Sequence, residues 1–318
     1  MTNGQTTSLA TGASSPETPE EPRETRTPKP TRLTAPGLRA LKGRRKIAAL
    51  TAYDAPTAAL LDAAGVDLLL VGDSIEMVVY GAPDTLGATL DRMVAHAKAV
   101  SGATTRALVV GDLPYLTYHT TPEDAVRNAA RFVVEGGCRA VKLEGGTQRL
   151  PMIRASLSAE IPVMGHLGLT PQSVNALGGF KVQGRRATKA RRILDEAKKL
   201  CDAGIFALVL ECVPAEVAAR ITEAIPVPTI GIGAGAGCDG QILVFHDLVG
   251  LTAPAARVAR FVRRYADVGA IVRNAAAEYV ADVRSGAFPS EAESFMSDPA
   301  DPAHAGPVAL YAAGAGRR

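Results

Sequence analysis

The feature that most restricts this chain is a repeat. Eight short aliphatic and β-branched runs recur along its middle, most of them followed by a Gly, Asp or Pro turn and then by a longer stretch with helical spacing. The runs are Lys46 to Thr51, Val66 to Val71, Arg106 to Val110, Ala140 to Leu143, Ile161 to Gly165, Phe206 to Leu210, Pro228 to Ile232 and Gln241 to Phe245. Thr89 to Val100, Pro122 to Glu135, Ala187 to Ala203 and Ala215 to Ala224 separate several of them and carry the apolar period of a helix. Strands alternating with helices are the pattern of parallel βα units. Eight such units predict an α/β fold of the (β/α)8 TIM barrel kind, with a doubly wound sheet as the alternative. Beyond the last run, Ala255 to Val283 places Val258, Phe261, Tyr265, Val268, Val272, Ala276, Tyr279 and Val283 at helical spacing. That stripe predicts helices that cover the barrel or form a subunit contact.

Composition narrows the function classes. Of 318 residues, 47% are hydrophobic and 21% charged, the balance of a folded domain rather than a disordered chain. A formal charge of +3 and only 4% aromatic residues argue against nucleic acid as a partner, since neither a basic footprint nor stacking platforms are at hand. The four cysteines, Cys138, Cys201, Cys212 and Cys238, show no metal-binding or disulfide spacing and read as reduced thiols. No apolar run has the length of a membrane span, and the first thirty residues lack the core of a secretory signal. The chain therefore reads as cytoplasmic. Residues 1–31 are rich in Thr, Ser, Pro and Glu and read as a disordered tail, 32–295 as the barrel with its C-terminal helices, and 296–318 as a flexible end.

In such barrels chemistry gathers at the carboxyl ends of the strands, where the βα loops converge. Five successive strands here finish in ionisable residues: Gly72-Asp73-Ser74, Gly111-Asp112, Lys142 with Glu144, His166, and Glu211. Asp73, Asp112 and Glu144 are hard oxygen donors of the kind Mg²⁺ takes. Lys142 and Glu144 stand two apart in a strand and so share a face, which in a barrel can be the interior. Glu211 leaves a dry strand, and a carboxylate short of water is a stronger base. Each has a plainer reading: turn or helix cap for Asp73 and Asp112, ion pair for Lys142 and Glu144, structural hydrogen-bonder for His166, helix cap near Pro214 for Glu211. Gly231-Ile232-Gly233-Ala234-Gly235-Ala236 imitates a dinucleotide fingerprint, but the next strand follows too soon for the helix such a site needs. His246-Asp247 ends the last run as either a functional or a barrel-closing pair.

Seven blocks, in order, carry a resemblance. They are Val71-Gly72-Asp73-Ser74, Asp112-Leu113-Pro114, Val141-Lys142-Leu143-Glu144-Gly145-Gly146, Gly165-His166-Leu167-Gly168-Leu169-Thr170-Pro171-Gln172-Ser173-Val174-Asn175, Gly179-Phe180-Lys181-Val182-Gln183-Gly184-Arg185, Leu210-Glu211-Cys212-Val213-Pro214 and Gly231-Ile232-Gly233-Ala234-Gly235. Together, from about Arg32 to Phe295, the chain closely resembles the ketopantoate hydroxymethyltransferase family. The resemblance implies a barrel of the phosphoenolpyruvate/pyruvate-like type that moves a one-carbon unit from methylenetetrahydrofolate to α-ketoisovalerate, giving ketopantoate for pantothenate and coenzyme A. It implies one Mg²⁺ per subunit held by Asp73 and Asp112, with Glu144 in the same site directly or through water. It also implies that Asp73, Ser74, Asp112, Lys142 and His166 bind the keto acid, that Glu211 is the general base, and that subunits assemble as a homo-oligomer, a decamer in the family.

Four positions depart from the family pattern: Glu76 and Arg186 for a small residue, Gly87 for a proline and Glu293 for a histidine. The alternative activity is a metal-dependent C–C lyase or aldolase acting on another 2-keto acid, which shares enolate chemistry without needing folate. A silent barrel serving assembly is the rival of another class. The presence of Asp73, Asp112, Lys142, Glu144, His166 and Glu211 together speaks against it.

Overall fold

The computed structural model describes residues 1–4, 31–252 and 258–296. The chain divides into two units, 1–31 and 32–318. Of the first, only residues 1–4 and 31 are described, and they form neither helix nor strand. Most of the two expected tails, 5–30 and 297–318, thus lies outside the described residues.

The second unit contains a closed, all-parallel barrel whose strands neighbour one another in sequence order, the eighth pairing the first. The strands are β1 Ile47–Thr51, β2 Leu68–Val71, β3 Leu108–Asp112, β4 Ala140–Lys142, β5 Val163–Gly168, β6 Ala207–Glu211, β7 Thr229–Ile232 and β8 Gly240–Leu243. The helices are α1 Ala35–Arg39, α2 Ala55–Ala63, α3 Ile75–Val78, α4 Leu90–Ala103, α5 Pro122–Val134, α6 Leu150–Ser158, α7 Val174–Leu177, α8 Ala187–Ala203, α9 Ala215–Ala224, α10 Phe245–Val249 and α11 Val268–Ser285. Among the described residues no helix is long and apolar enough to cross a membrane.

Alternation along each strand sorts the core into two layers. Ala49, Leu68, Leu70, Leu108, Val110, Ala140, Met164, Val209, Ile230 and Ile242 cluster with Leu38 of α1. Leu69, Val71, Val109, Val141, Val163, Leu208 and Leu210, offset by one residue, pack instead with the surrounding helices. Only the side chains of every second residue face one way, so the first set fills the barrel and the second seals it to its jacket. Helix α5 illustrates how tight that jacket is. A Cβ at Gly111 would stand 2.2 Å from a Phe132 ring carbon, so glycine is required there for the helix to close on β3.

Helix starts follow local rules. Thr121 caps α5 by accepting the Asp124 N–H, Pro122 occupies the first turn, and Glu123 and Asp124 face the positive helix end. Asp54 and Thr89 cap α2 and α4 in the same manner.

Most strand ends shift by one or two residues from expectation, and three differences change how a segment is read. Strand β5 runs to Gly168 instead of Gly165, because His166, Leu167 and Gly168 continue to pair with β6. Strand β8 ends at Leu243, and Phe245 begins α10, its N–H donating to Thr51 Oγ1. His246 and Asp247 therefore belong to a helix, with the His246 ring tilted against Tyr53. The stripe expected over Ala255 to Val283 includes 253–257, outside the described residues. Its helical part is α11, which has no fully buried residue and whose apolar residues from Ile271 onward are exposed.

The base of β3 hangs on one carboxylate. Asp62 in α2 is buried and accepts the N–H groups of Thr105, Arg106 and Ala107 and the Thr105 hydroxyl. Burial alone would push its pKa up, but the hydrogen bonds from Ala107, Thr105 and Arg106 outweigh it and hold the group below its ordinary value. A carboxylate so depressed stabilises the fold fully above about pH 3.9, and the contribution disappears as pH falls through the lower folded value. Asp62→Ala is expected to cost about 1–3 kcal/mol in urea unfolding at pH 7, since it leaves the buried Ala107 N–H and the part-buried Thr105 and Arg106 N–H groups without their acceptor. Its deficit against the unsubstituted protein should narrow once the pH is below the depressed value.

Candidate active site

The alternation that fills the barrel also delivers its polar end. Val110 and Asp112, Ala140 and Lys142, Met164 and His166, and Val209 and Glu211 are two apart, so each polar side chain stands above an apolar interior residue on the same face. Glu144 continues the β4 series, and Asp73 follows β2 through Gly72. Asp73, Asp112, Lys142, Glu144 and His166 are all buried, while the Glu211 side chain keeps 16% exposure at the rim.

The sequence candidates come together in one network. The Lys142 ammonium is 2.9 Å from Asp112 Oδ1 and 3.6 Å from Glu144 Oε1. His166 lies between two carboxylates, Nδ1 3.3 Å from Glu144 Oε1 and Nε2 3.3 Å from Glu211 Oε2. Neither His166 Nε2 nor Asp112 Oδ1 completes a well-aligned hydrogen bond among the described residues. The Asp73 backbone N–H points to Asp112 Oδ2 at 3.4 Å, which ties the loop after β2 to the end of β3. Ser74 shares a 2.9 Å hydrogen bond with the buried Tyr53 hydroxyl.

The plainer readings can now be tested. Helix α3 is capped by neither Asp73 nor the Ser74 side chain, and α9 starts at Pro214 without a bond from Glu211. The Lys142–Glu144 ion pair does form, but buried and with Asp112 and His166 as further partners rather than on a rim. Between β7 and β8 the glycine segment is a turn without a helix, so no dinucleotide site is built there.

The charges are unevenly compensated. Burial and the neighbouring Asp112 and Glu144 raise the Asp73 carboxyl well above its ordinary range. Burial also raises Asp112, with Lys142 opposing it. Burial works against the Glu144 anion too, but Lys142 and His166 outweigh it and hold Glu144 low. For Lys142, burial is overcome by Asp112, Glu144 and Asp73, and its pKa is raised. Burial and Lys142 would discharge His166, yet Glu144 and Glu211 lift it to about 9. Lys142 and His166 thus secure Glu144, and Asp73 is left in surplus negative charge.

No three His, Cys, Asp or Glu side chains among the described residues converge closely enough to enclose a metal ion by themselves. The physical reason lies in the network: the ammonium stands between Asp112 and Glu144, and Glu144 Oε2 accepts the Gln172 N–H. Two residues absent from the sequence candidates complete the site. The Gln172 side-chain amide donates to Asp73 Oδ2 at 2.8 Å, and the Tyr118 hydroxyl donates to Gln172 Oε1 at 2.6 Å. A glutamine just after the Thr-Pro turn of the β5 block was the available signal. Glu76, the extra carboxylate beside the Asp73 loop, is buried and turned to an ion pair with Arg92.

The family model of ketopantoate hydroxymethyltransferase matches residues 32–291. The chain belongs to that family. A 3-methyl-2-oxobutanoate hydroxymethyltransferase of Oleidesulfovibrio alaskensis is 55% identical over 263 residues, covering 83% of this chain and 90% of the relative. One from Moorella thermoacetica is 53% identical over 265 residues, covering 83% and 98%. Among solved structures, phosphonopyruvate hydrolase superposes with a TM-score of 0.55 at 14% identity, covering 84% of this chain and 92% of that one. A phosphoenolpyruvate phosphomutase from Streptomyces platensis subsp. rosaceus gives 0.54 at 14%, covering 80% and 88%. These place the barrel among phosphoenolpyruvate mutase-like folds, as expected. Membership of the ketopantoate hydroxymethyltransferase family makes the chain a hydroxymethyltransferase, and the name of these relatives gives 3-methyl-2-oxobutanoate, also called α-ketoisovalerate, as the acid they act on.

Lys142 is the buried cation that Asp112 and Glu144 share. Lys142→Met is expected to destabilise the fold by about 3–5 kcal/mol in chemical unfolding at neutral pH, since it leaves the anions uncompensated. A variant as stable as the parent would show that the carboxylates already carry enough protons to do without it.

Proposed function

We propose that the chain takes the one-carbon unit of methylenetetrahydrofolate onto α-ketoisovalerate, with Mg²⁺ in the site, and forms ketopantoate on the way to pantothenate and coenzyme A. The observation that supports this most is the single network of Asp73, Asp112, Lys142, Glu144, His166 and Glu211 at the ends of five consecutive strands. Each group has a task in removing a proton beside a ketone.

The donor set fits a hard divalent cation. Asp73 and Asp112 stand at neighbouring strand ends, with the Asp73 N–H against Asp112 Oδ2, and the nearby Asp112 and Glu144 outweigh Lys142 in the charge around Asp73. Mg²⁺ is commonly held by one or two carboxylates with its remaining positions left to water and substrate. Asp73 and Asp112 would hold it, while Glu144, whose oxygens face Lys142, His166 and Gln172, would act from outside through water. When bound, the cation supplies Lewis-acid stabilisation of the negative charge that develops on the keto oxygen.

The protein groups divide the remaining work. Lys142 and His166, both cationic, attract the acid's carboxylate, and the buried His166 Nε2 has hydrogen-bonding capacity to offer. Ser74, fixed by Tyr53, adds a hydroxyl. Glu211 keeps contact with solvent at the rim and takes the proton from the carbon next to the ketone. Water frees the one-carbon unit from the folate at the formaldehyde level, both C–N bonds breaking and tetrahydrofolate leaving. The carbanion carbon then adds to that carbonyl, whose oxygen, derived from water, takes a proton to become the new hydroxyl. Four free thiols suit a reducing compartment, and we place the enzyme in the cytoplasm.

Proton NMR of α-ketoisovalerate in D₂O, with protein, Mg²⁺ and methylenetetrahydrofolate, tests the reading. Ketopantoate should appear and stop when the metal is chelated. Glu211→Gln should still bind the acid but exchange the hydrogen beside the ketone at least about 100-fold more slowly, the size of effect that a general base contributes. Undiminished exchange in that variant would remove Glu211 from the role of base.

Assembly into a homo-oligomer, decameric as in the family, is part of the same proposal. It is supported by α11, where Ile271 is 64% and Tyr279 56% exposed on an apolar helix. Tyr279→Glu should shift the mass measured by light scattering toward smaller species; an unchanged mass would place the contact elsewhere.

A further inference from the structure

Gln172 is the point where four strand-end loops meet. It sits in the 3-10 turn Pro171–Ser173 after β5, and its side chain is buried. Its Nε2 donates to Asp73 Oδ2 at 2.8 Å, from the loop after β2, and to the Leu113 carbonyl at 3.0 Å, after β3. Its Oε1 accepts from Tyr118, in the loop between β3 and α5, and its backbone N–H donates to Glu144 Oε2 at 3.1 Å, after β4.

The chemistry of the partners fixes which way the amide faces. A carbonyl oxygen only accepts, so the amide nitrogen must face Leu113, and its second hydrogen then reaches Asp73. The Tyr118 oxygen accepts the Glu144 N–H at 3.1 Å, which leaves the hydroxyl hydrogen for Gln172 Oε1. Both heavy atoms of the amide are thus committed, and a flip would set oxygen against oxygen at the Leu113 carbonyl and the Asp73 carboxylate.

We propose that Gln172, held in place by Tyr118, is a positioning residue for the metal-binding carboxylate of Asp73. The inference rests on the reading that Asp73 and Asp112 hold the divalent cation. A neutral donor ties down one oxygen of Asp73 and so orients the other. The backbone N–H of the same residue holds Glu144, which sets the spacing between a carboxylate after β2 and one after β4. A glutamate at 172 would add a fifth carboxyl group to the network, whereas the amide adds two donors and no charge. Its contribution is to geometry, since a methionine of similar length would fill the same space without either bond.

The test uses the full-length protein and Mn²⁺, a cation of the same oxygen-preferring class, followed by its electron paramagnetic resonance signal. In Gln172→Met the Kd for Mn²⁺ should rise 10–100-fold, the usual effect of removing a hydrogen-bond partner of a metal ligand. The melting temperature without metal should stay within about 4 °C of the parent, the change expected for a loss near 1 kcal/mol. Raising Mn²⁺ should restore kcat, with KM for the keto acid unchanged at saturating metal. Tyr118→Phe, which frees the amide without removing it, should weaken Mn²⁺ in the same direction by a smaller factor, and it carries the test should Gln172→Met fail to fold. Parent-like Mn²⁺ affinity in a folded variant would overturn the positioning role alone. A parent protein that binds no Mn²⁺ would overturn the metal site itself and this inference with it.

Discussion

A strand that points alternate side chains into a closed ring cannot end in a polar residue on that register without delivering it to the mouth of the ring. This constraint organises the whole site. Val110, Ala140, Met164 and Val209 lie in the dry interior, and the residues two places later are Asp112, Lys142, His166 and Glu211. Parallel pairing fixes how these ends step around the ring: Asp112 is in register with Lys142, Lys142 with Met164, and His166 with Val209, two residues below Glu211. At Gly168, a Cβ would come within 2.2 Å of the Glu211 carbonyl and the backbone has φ +98°, so glycine is what allows β5 to stay beside β6 up to the rim.

Such delivery creates an electrostatic problem. Buried charges carry a large desolvation cost unless they are paired and hydrogen-bonded. Lys142 answers for Asp112 and Glu144 and His166 for Glu144 and Glu211, but nothing cationic touches Asp73 directly: its described partners are the neutral Gln172 amide and the neighbouring Asp112. A site that is complete except for positive charge at one corner is suited to a cation that arrives from solution. The same imbalance explains why three carboxylates do not close on each other in the described arrangement. Mutual repulsion is relieved by the ammonium only along the Asp112–Glu144 side.

The fold was legible because strand periodicity is local, and so were the residues that ride on it. Asp112, Lys142, Glu144, His166 and Glu211 could be placed by counting in twos, and Asp73 by its position after an apolar run. The extension of β5 was hidden because His166 and Gly168 read as a turn until β6 is there to pair with them. Gln172 was hidden for a stronger reason: its partners are 99, 59, 54 and 28 residues away, and no window of sequence brings them together. The stripe on α11 announced a helix but not its partner, since an apolar face states that something covers it without saying what.

Glu76 shows how a departure near a site can leave its chemistry intact. Standing three residues after Asp73, its carboxylate would deepen the negative surplus if it turned inward. Instead it pairs with Arg92, whose guanidinium also lies 4.3 Å over the Tyr80 ring, and Tyr80 in turn bonds His96. Gly87 makes room for this: a Cβ there would come within 3.2 Å of Glu76 Oε2, closer than most side-chain contacts allow. The two departures, Glu76 and Gly87, are therefore one local arrangement, a buried carboxylate and the space it needs, with Arg92 supplying the counter-charge. Because that charge is neutralised within the wall of the barrel, the balance around Asp73 is set by Asp112, Lys142 and Glu144 alone.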